Sequence, residues 1–275
     1  MTRTENQAER PWQLEMFDRS LKKQQKFQAL RRLAGSTAGQ NCLLLTCGDN
    51  NGALNWHFRE QGGCWRWGDL LDENLAEMST LLGEPVERLP EGDFPFPDNE
   101  FDCVVSIDVL EHLVDDQPLL REIRRVLRPG GRAVVTVPNG DPRLLANRLK
   151  WRVGMTPEIY GHTRAGYTVP ELQDALQRAG FQPAASGGYS RLFTELVELV
   201  INFGYVRVLS RRKGQPEPGH IAPTTSRELK RHGAAYRLYS LVFPLMRLFS
   251  KLDGLLPTSG NGAVIVVGNK AEETP

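Results

Sequence analysis

The residues best suited to moving protons are Asp108, Glu111 and His112 in "SIDVLEHL" and His162 in "GHTRAGY". Imidazole titrates near neutrality, so either histidine could take a proton from a bound acceptor. Two carboxylates and two imidazoles also form a donor set for a divalent ion, which would acidify a hydroxyl held beside it. A second stretch, "LLLTCGDNNG" (Leu43 to Gly52), reads as a strand that ends in a glycine turn and opens a helix. Such a turn brings backbone close to a ligand without saying which one. The dinucleotide pattern G-x-G-x-x-G is absent, and so is the lysine-bearing phosphate loop. Nicotinamide cofactors and nucleoside triphosphates are therefore both disfavoured.

Positioning these groups takes an alternation of strands and helices. Strands are expected at Asn41–Thr46, Cys64–Trp67, Val86–Leu89, "FDCVVSIDVL", "RAVVTVPN", Phe181–Ser186 and Ala263–Val267. Between them, Ala53–Glu60 and "GDLLDENLAEMSTLLGE" read as helices. A third, "DDQPLLREIRRVL", is capped by Asp115 or Asp116 and sets Leu119, Leu120, Ile123, Val126 and Leu127 on one face. A fourth opens with a capping box, Thr168-x-x-Glu171. Right-handed crossovers then give an α/β fold, a Rossmann-like, seven-stranded, mostly parallel sheet with helices on both faces. Ligands of such folds lie outside the carboxyl ends of the strands, where "DVLEH" falls.

The totals exclude some classes. With 275 residues and a net charge of +1, nothing pulls the chain toward nucleic acid. Cys42, Cys47, Cys64 and Cys103 show no Cys-x-x-Cys spacing, and three sit in or beside apolar runs, as small buried thiols do. "MTRTENQAERPW" has no apolar stretch. A reducing, cytoplasmic compartment is the expectation.

"FPFPDNEFDCVVSIDVLEHL", "LLREIRRVLRPGGRAVVTVPN" and "GHTRAGYTVPELQDALQRAGF" together resemble class I S-adenosylmethionine-dependent methyltransferases, type 11, in the ubiquinone-pathway-like group. The resemblance runs from Asn41 to Gly187. It implies S-adenosylmethionine as cofactor, held by Thr46, Cys47, Gly48, Asp49, Asn50 and Gly52 in the loop. Asp69, with Leu70 beside it, would meet the ribose, or else cap the helix that follows, with Asp72 as fallback. Leu89 would meet the adenine through backbone, and Asp108 would lie beside the sulfonium. The family's first strand usually ends in an acid followed by Gly-Cys-Gly-x-Gly; here Leu44 and Thr46 replace the acid and the first glycine. Asp49 is a substitute carboxylate for the sulfonium and ammonium, or else a helix cap. The resemblance also implies His162 or His112 as base for a hydroxyl acceptor, with Glu111 beside them; His112 could instead simply pack at a helix start. Asp108-x-x-Glu111-His112 with His162 further resembles the metal-holding E-x-x-E-H…H arrangement of small-RNA 2′-hydroxyl methyltransferases. Here Asp shortens the first arm, and many relatives need no ion, so no metal site is assigned.

Four segments follow: an N-terminal helical segment (1–40), the methyltransferase core (41–188), a helical insertion before the last strand (189–261), and the final strand with its tail (262–275). "LKKQQKFQALRRLAG" in the first is a basic amphipathic helix. In the insertion, "RLFTELVELVINFGYVRVL" and "YRLYSLVFPLMRLFSKLDGLL" are apolar around most of their circumference, with Arg191, Glu195, Glu198 and Asn202 on the polar stripe of the first. Charges interrupt both short of the ~18 apolar residues of a membrane span. They must be buried against the core, a partner subunit, or a lipid-like substrate at the membrane surface. The expected activity is O-methylation of a small, sugar-like or lipid-linked acceptor, with peripheral contact at the inner membrane face. The rival is a non-catalytic scaffold with an altered cofactor loop.

Overall fold

The structure is a computed structural model and describes residues 10–48, 50–206 and 233–272. Asp49 lies outside the described residues. Two helices, α1 (Trp12–Asp18) and α2 (Leu21–Ala34), precede the sheet. The core then runs β1 (Asn41–Thr46), α3 (Ala53–Arg59), β2 (Cys64–Asp69), α4 (Leu75–Leu82), β3 (Val86–Arg88), β4 (Phe101–Ile107), α5 (Gln117–Val126) and β5 (Leu127–Pro138). After it come α6 (Leu145–Arg152), α7 (Val169–Arg178), β6 (Gln182–Tyr189), α8 (Leu192–Gly204), α9 (Gly233–Ser250) and β7 (Ala263–Asn269).

The strands form one seven-stranded sheet in the order β3-β2-β1-β4-β5-β7-β6. The β1–β5 pairings are parallel, and β7 runs antiparallel to both its neighbours. The mostly parallel sheet expected from the sequence is present, and the order reverses between β1 and β4, where the crevice opens. Leu43, Leu44, Leu45, Val104, Val105, Val134 and Val135 are fully buried, as strands covered on both faces require. Each such side chain contributes about 1.5–3 kcal/mol relative to exposure.

Local chemistry sets the boundaries. The Thr168–Glu171 capping box is formed in both directions at α7. Asp116 occupies the N-cap position of α5 but makes no capping bond, because its Oδ2 accepts from the Tyr167 hydroxyl at 2.5 Å; Asp115 accepts from the Gln117 N–H instead. β6 extends to Tyr189, three residues beyond the expected Ser186, because it pairs with β7 as far as Ala263.

The insertion departs from expectation most. Glu195 and Thr194 of α8 are fully buried, so part of its polar stripe points inward, while Val200 and Phe203 are exposed. Buried Glu195 pairs with Lys22 of α2 and Lys150 of α6 and accepts from the Ser190 hydroxyl. Asp253 accepts from the backbone of Arg191, Phe193 and Thr194, closing the first turn of α8 from the far end of the insertion. The circumference of α9 is not mostly buried: Leu238, Leu241, Leu245 and Leu248 are exposed.

Candidate active site

The carboxyl ends of β1 and β4, α2, the 161–165 loop and the two insertion helices surround one cavity of about 790 Å³. That falls within the range of small-molecule and cofactor sites.

At the cofactor end, Thr46, Cys47, Gly48 and Asn50 line the wall. Gly48 has φ +72°, where a side chain is strained, and a Cβ there would lie 2.6 Å from Leu71 Cδ1. Asp69 is fully buried behind this wall. Its Oδ1 accepts from Gly48 N at 2.9 Å and Leu71 N at 2.8 Å, and its Oδ2 accepts from Thr46 Oγ1 at 2.5 Å. Burial raises its pKa, against those hydrogen bonds. Asp69 thus holds the loop in shape, and it does not line the cavity. Leu70 and Leu89 are buried core, and Gly52 starts α3 against Met78 and Leu81; none of the three lines the cavity. Glu73 does line it, an acid that the sequence reading passed over. Asp72 is exposed and faces Arg88. The Cys47 thiol is pushed up to about 12 by burial and by Asp69 and Glu111 nearby. All four cysteines are free.

At the other end, β4 delivers Asp108 in a left-handed conformation, φ +50°, an uncommon state for a non-glycine residue and one that marks functional sites. Its Oδ2 is paired with Lys26 of α2, while Oδ1 is buried with no partner among the described residues. The turn Leu110–His112 follows. Glu111 is fully buried, and neither carboxyl oxygen has a partner among the described residues. Burial first, then the Asp108 carboxylate, raises its pKa well above the usual range.

His162 reaches this turn because its loop is stitched to it. Thr163 N and Oγ1 both donate to the Glu111 carbonyl, at 2.8 and 3.0 Å. Gly166 lies so close to β5 that a Cβ would sit 2.1 Å from the Pro138 carbonyl oxygen, which only glycine allows. The His112 and His162 rings meet edge to face, centroids 4.8 Å apart. The Gly161 carbonyl, 3.1 Å from His112 Nδ1, can only accept, so Nδ1 carries the proton and Nε2 is the basic nitrogen. Burial and the neighbouring His112 lower His162 to about 4 and keep it neutral. Glu111, His112 and His162 each offer a ligand atom, all within 4.8 Å of one another. The structure therefore brings together Asp108, Glu111, His112 and His162.

A seven-stranded sheet with an antiparallel β7 and a crevice beside the glycine turn after β1 is the fold of class I methyltransferases. Residues 69–135 match the family described as "Methyltransferase domain". A probable S-adenosylmethionine-dependent methyltransferase of Mycolicibacterium smegmatis is 38% identical over 159 residues, covering 55% of this chain and 56% of that protein. The ubiquinone biosynthesis O-methyltransferase of Cereibacter sphaeroides is 27% identical over 181 residues, covering 62% and 68%. The S-adenosylmethionine-dependent methyltransferase of Mesorhizobium loti shares the fold, with TM-score 0.52 at 17% identity, covering 88% of this chain and 96% of that one. The chain spans about half the length of the first curated relatives it matches. The chain shares the fold of the class I methyltransferases, and over part of its length it is similar to S-adenosylmethionine-dependent methyltransferases of the type 11 group. The cofactor of that class is S-adenosylmethionine.

Proposed function

We propose that this chain transfers a methyl group from S-adenosylmethionine to an oxygen of a small, sugar-like or lipid-linked acceptor. The observation that carries the reading is the single cavity joining the Thr46–Asn50 loop to the Asp108, Glu111, His112 and His162 cluster beneath α8 and α9. The cofactor supplies a sulfonium-bound methyl carbon. Asp108 Oδ1, buried and unpartnered among the described residues, is a fitting neighbour for the positive sulfonium or ammonium. Asp69 serves the cofactor through the loop it holds, and Glu73 is the acid on the wall for hydroxyls. His162, neutral at physiological pH, or His112 through Nε2 takes the acceptor's hydroxyl proton as the oxygen bonds to the methyl carbon and the carbon–sulfur bond breaks. The segment from 189 to 261 serves as a lid that shapes acceptor choice. A lipid-linked acceptor fits the apolar side chains of Val242 and Met246 on the far wall, and it would bring the protein to the inner membrane face.

A second reading is favoured by the bare Glu111 carboxyl and its two imidazole neighbours. This cluster would hold a divalent ion that acidifies the acceptor hydroxyl. Calorimetry with S-adenosylmethionine and S-adenosylhomocysteine, on wild type and Gly48→Arg, tests the primary reading. Micromolar binding lost in a folded variant is expected, and no heat at millimolar ligand would point to a scaffold. Chelation decides between the readings. Activity indifferent to it keeps a histidine as unaided base, and activity restored by added divalent metal assigns the ion.

A further inference from the structure

Helix α9 has two apolar faces with different surroundings. Tyr239, Val242 and Met246 look into the cavity, and the Tyr239 hydroxyl is anchored to the Arg19 carbonyl. On the other side stands a leucine stripe at spacings of four and three: Leu241 (77% exposed), Leu245 (67%) and Leu248 (63%). It continues through exposed Leu252 and Leu255 in the turn that follows. Isolated exposed leucines are ordinary, but a continuous row marks a contact surface.

Charge says what that contact is. Arg237 and Lys251 are exposed along one margin of the stripe, and Arg247 is exposed further round the helix. Gly233–Ser250 contains no Asp or Glu. Two copies zipped through the leucines would have no acids on α9 to meet these bases, which a stable coiled coil supplies from its flanking positions. Anionic headgroups meet them directly. Apolar residues on one side, bases at the margin and a length that does not span are the features of a helix lying in the membrane interface.

We infer that the outer face of α9 docks on an anionic lipid bilayer, with Leu241, Leu245 and Leu248 among the acyl chains and Arg237 and Lys251 at the headgroups. The inner face of the same helix is then the wall between bilayer and cavity, and a lipid-linked acceptor has a short route to the histidines. In that purpose the inference rests on the acceptor reading above.

The test is flotation of the full chain with vesicles of phosphatidylcholine alone and of phosphatidylcholine mixed with phosphatidylglycerol. Expected is binding to the mixed vesicles that weakens with salt. The double variant Leu241→Glu/Leu245→Glu should lose it by about tenfold or more, since two buried leucines exceed the ~1.4 kcal/mol of a tenfold change. Neither residue lines the cavity, so S-adenosylmethionine binding and melting temperature should stay unchanged in the variant. Equal binding to both vesicle types, binding indifferent to the variant, or no binding overturns the inference. So does a dimer by sedimentation that the variant dissociates without any vesicle binding, which would make a second copy the occupant. Vesicle binding without cofactor heat would sink the methyl-transfer reading and leave this one standing.

Discussion

Two glutamates lie equally deep in this protein and are treated in opposite ways. Glu111 is 0% exposed and Glu195 is 1% exposed. Glu195 is met by Lys22, Lys150 and the Ser190 hydroxyl, and although burial pushes its pKa up, the two lysines overcome this and hold it well below the carboxylate range. The Glu111 carboxyl has no hydrogen-bond partner among the described residues, and burial raises its pKa. A buried carboxylate with its charges paired ties elements together; one left bare costs stability and persists where a ligand completes it. The first fastens α8 to α2 and α6. The second stands in the cavity beside two imidazoles.

The largest expected effect comes from breaking the satisfied site. Glu195→Gln strands two lysines in a mostly buried network, and removing one partner of such a network costs about 3–5 kcal/mol. Lys22 keeps some solvent contact, so about 3 kcal/mol is expected, read as a fall in melting temperature of roughly 6–12 °C. A variant as stable as wild type would mean that the network contributes nothing, and the comparison would collapse.

Glu111→Gln should do the reverse. It removes an uncompensated acid, so melting temperature holds or rises, while kcat/KM falls about a hundredfold if the carboxyl acts in transfer. Loss of stability comparable to that of Glu195→Gln would make Glu111 another structural anchor.

The two glutamates also carry opposite pH signatures. The folded pKa of Glu195 is depressed, so its stabilisation is present above its unfolded value of about 4.5 and is lost as pH falls below it. The folded pKa of Glu111 is raised, so its term is fully present below about 4.5 and is lost as pH climbs toward the folded value. Thermal melts across pH should therefore lose part of the acid limb in Glu195→Gln and part of the higher-pH decline in Glu111→Gln. Parallel profiles in both variants would contradict the assignment.

This contrast marks where the sequence stops being legible. "SIDVLEHL" announced Asp108, Glu111 and His112 because strand-end placement follows from local periodicity, and "GHTRAGY" offered His162 from a loop. Gly166 then brings the second motif onto the first by a close approach that its residue type alone permits. Asp69 was found at the end of β2, but its engagement with Thr46, Gly48 and Leu71 was not, because a carboxylate at a strand end reads the same whether it faces ligand or loop. Glu195 read as part of a polar stripe on an apolar helix. Its lysines come from positions 22 and 150, and no periodicity links residues so far apart. The same limit hid Asp253 as the acceptor for the first turn of α8 and the pairing of Lys26 with Asp108.

The smallest effect tests how finely the Glu195 site is built. Ser190→Ala removes one donor to a carboxylate and leaves both lysines in place, so about 1.5–2 kcal/mol is expected, the lower part of the range for a hydrogen bond to a charged group. Ser190 also sits at φ +59°, a strain that alanine does not relieve, so the measured loss is the hydroxyl's contribution alone. Additivity with Glu195→Gln should fail, because once the carboxylate is gone the serine has no charged acceptor to lose. A double variant less stable than the single by the full Ser190→Ala increment would place the serine's partner elsewhere and return Glu195 to the two lysines alone.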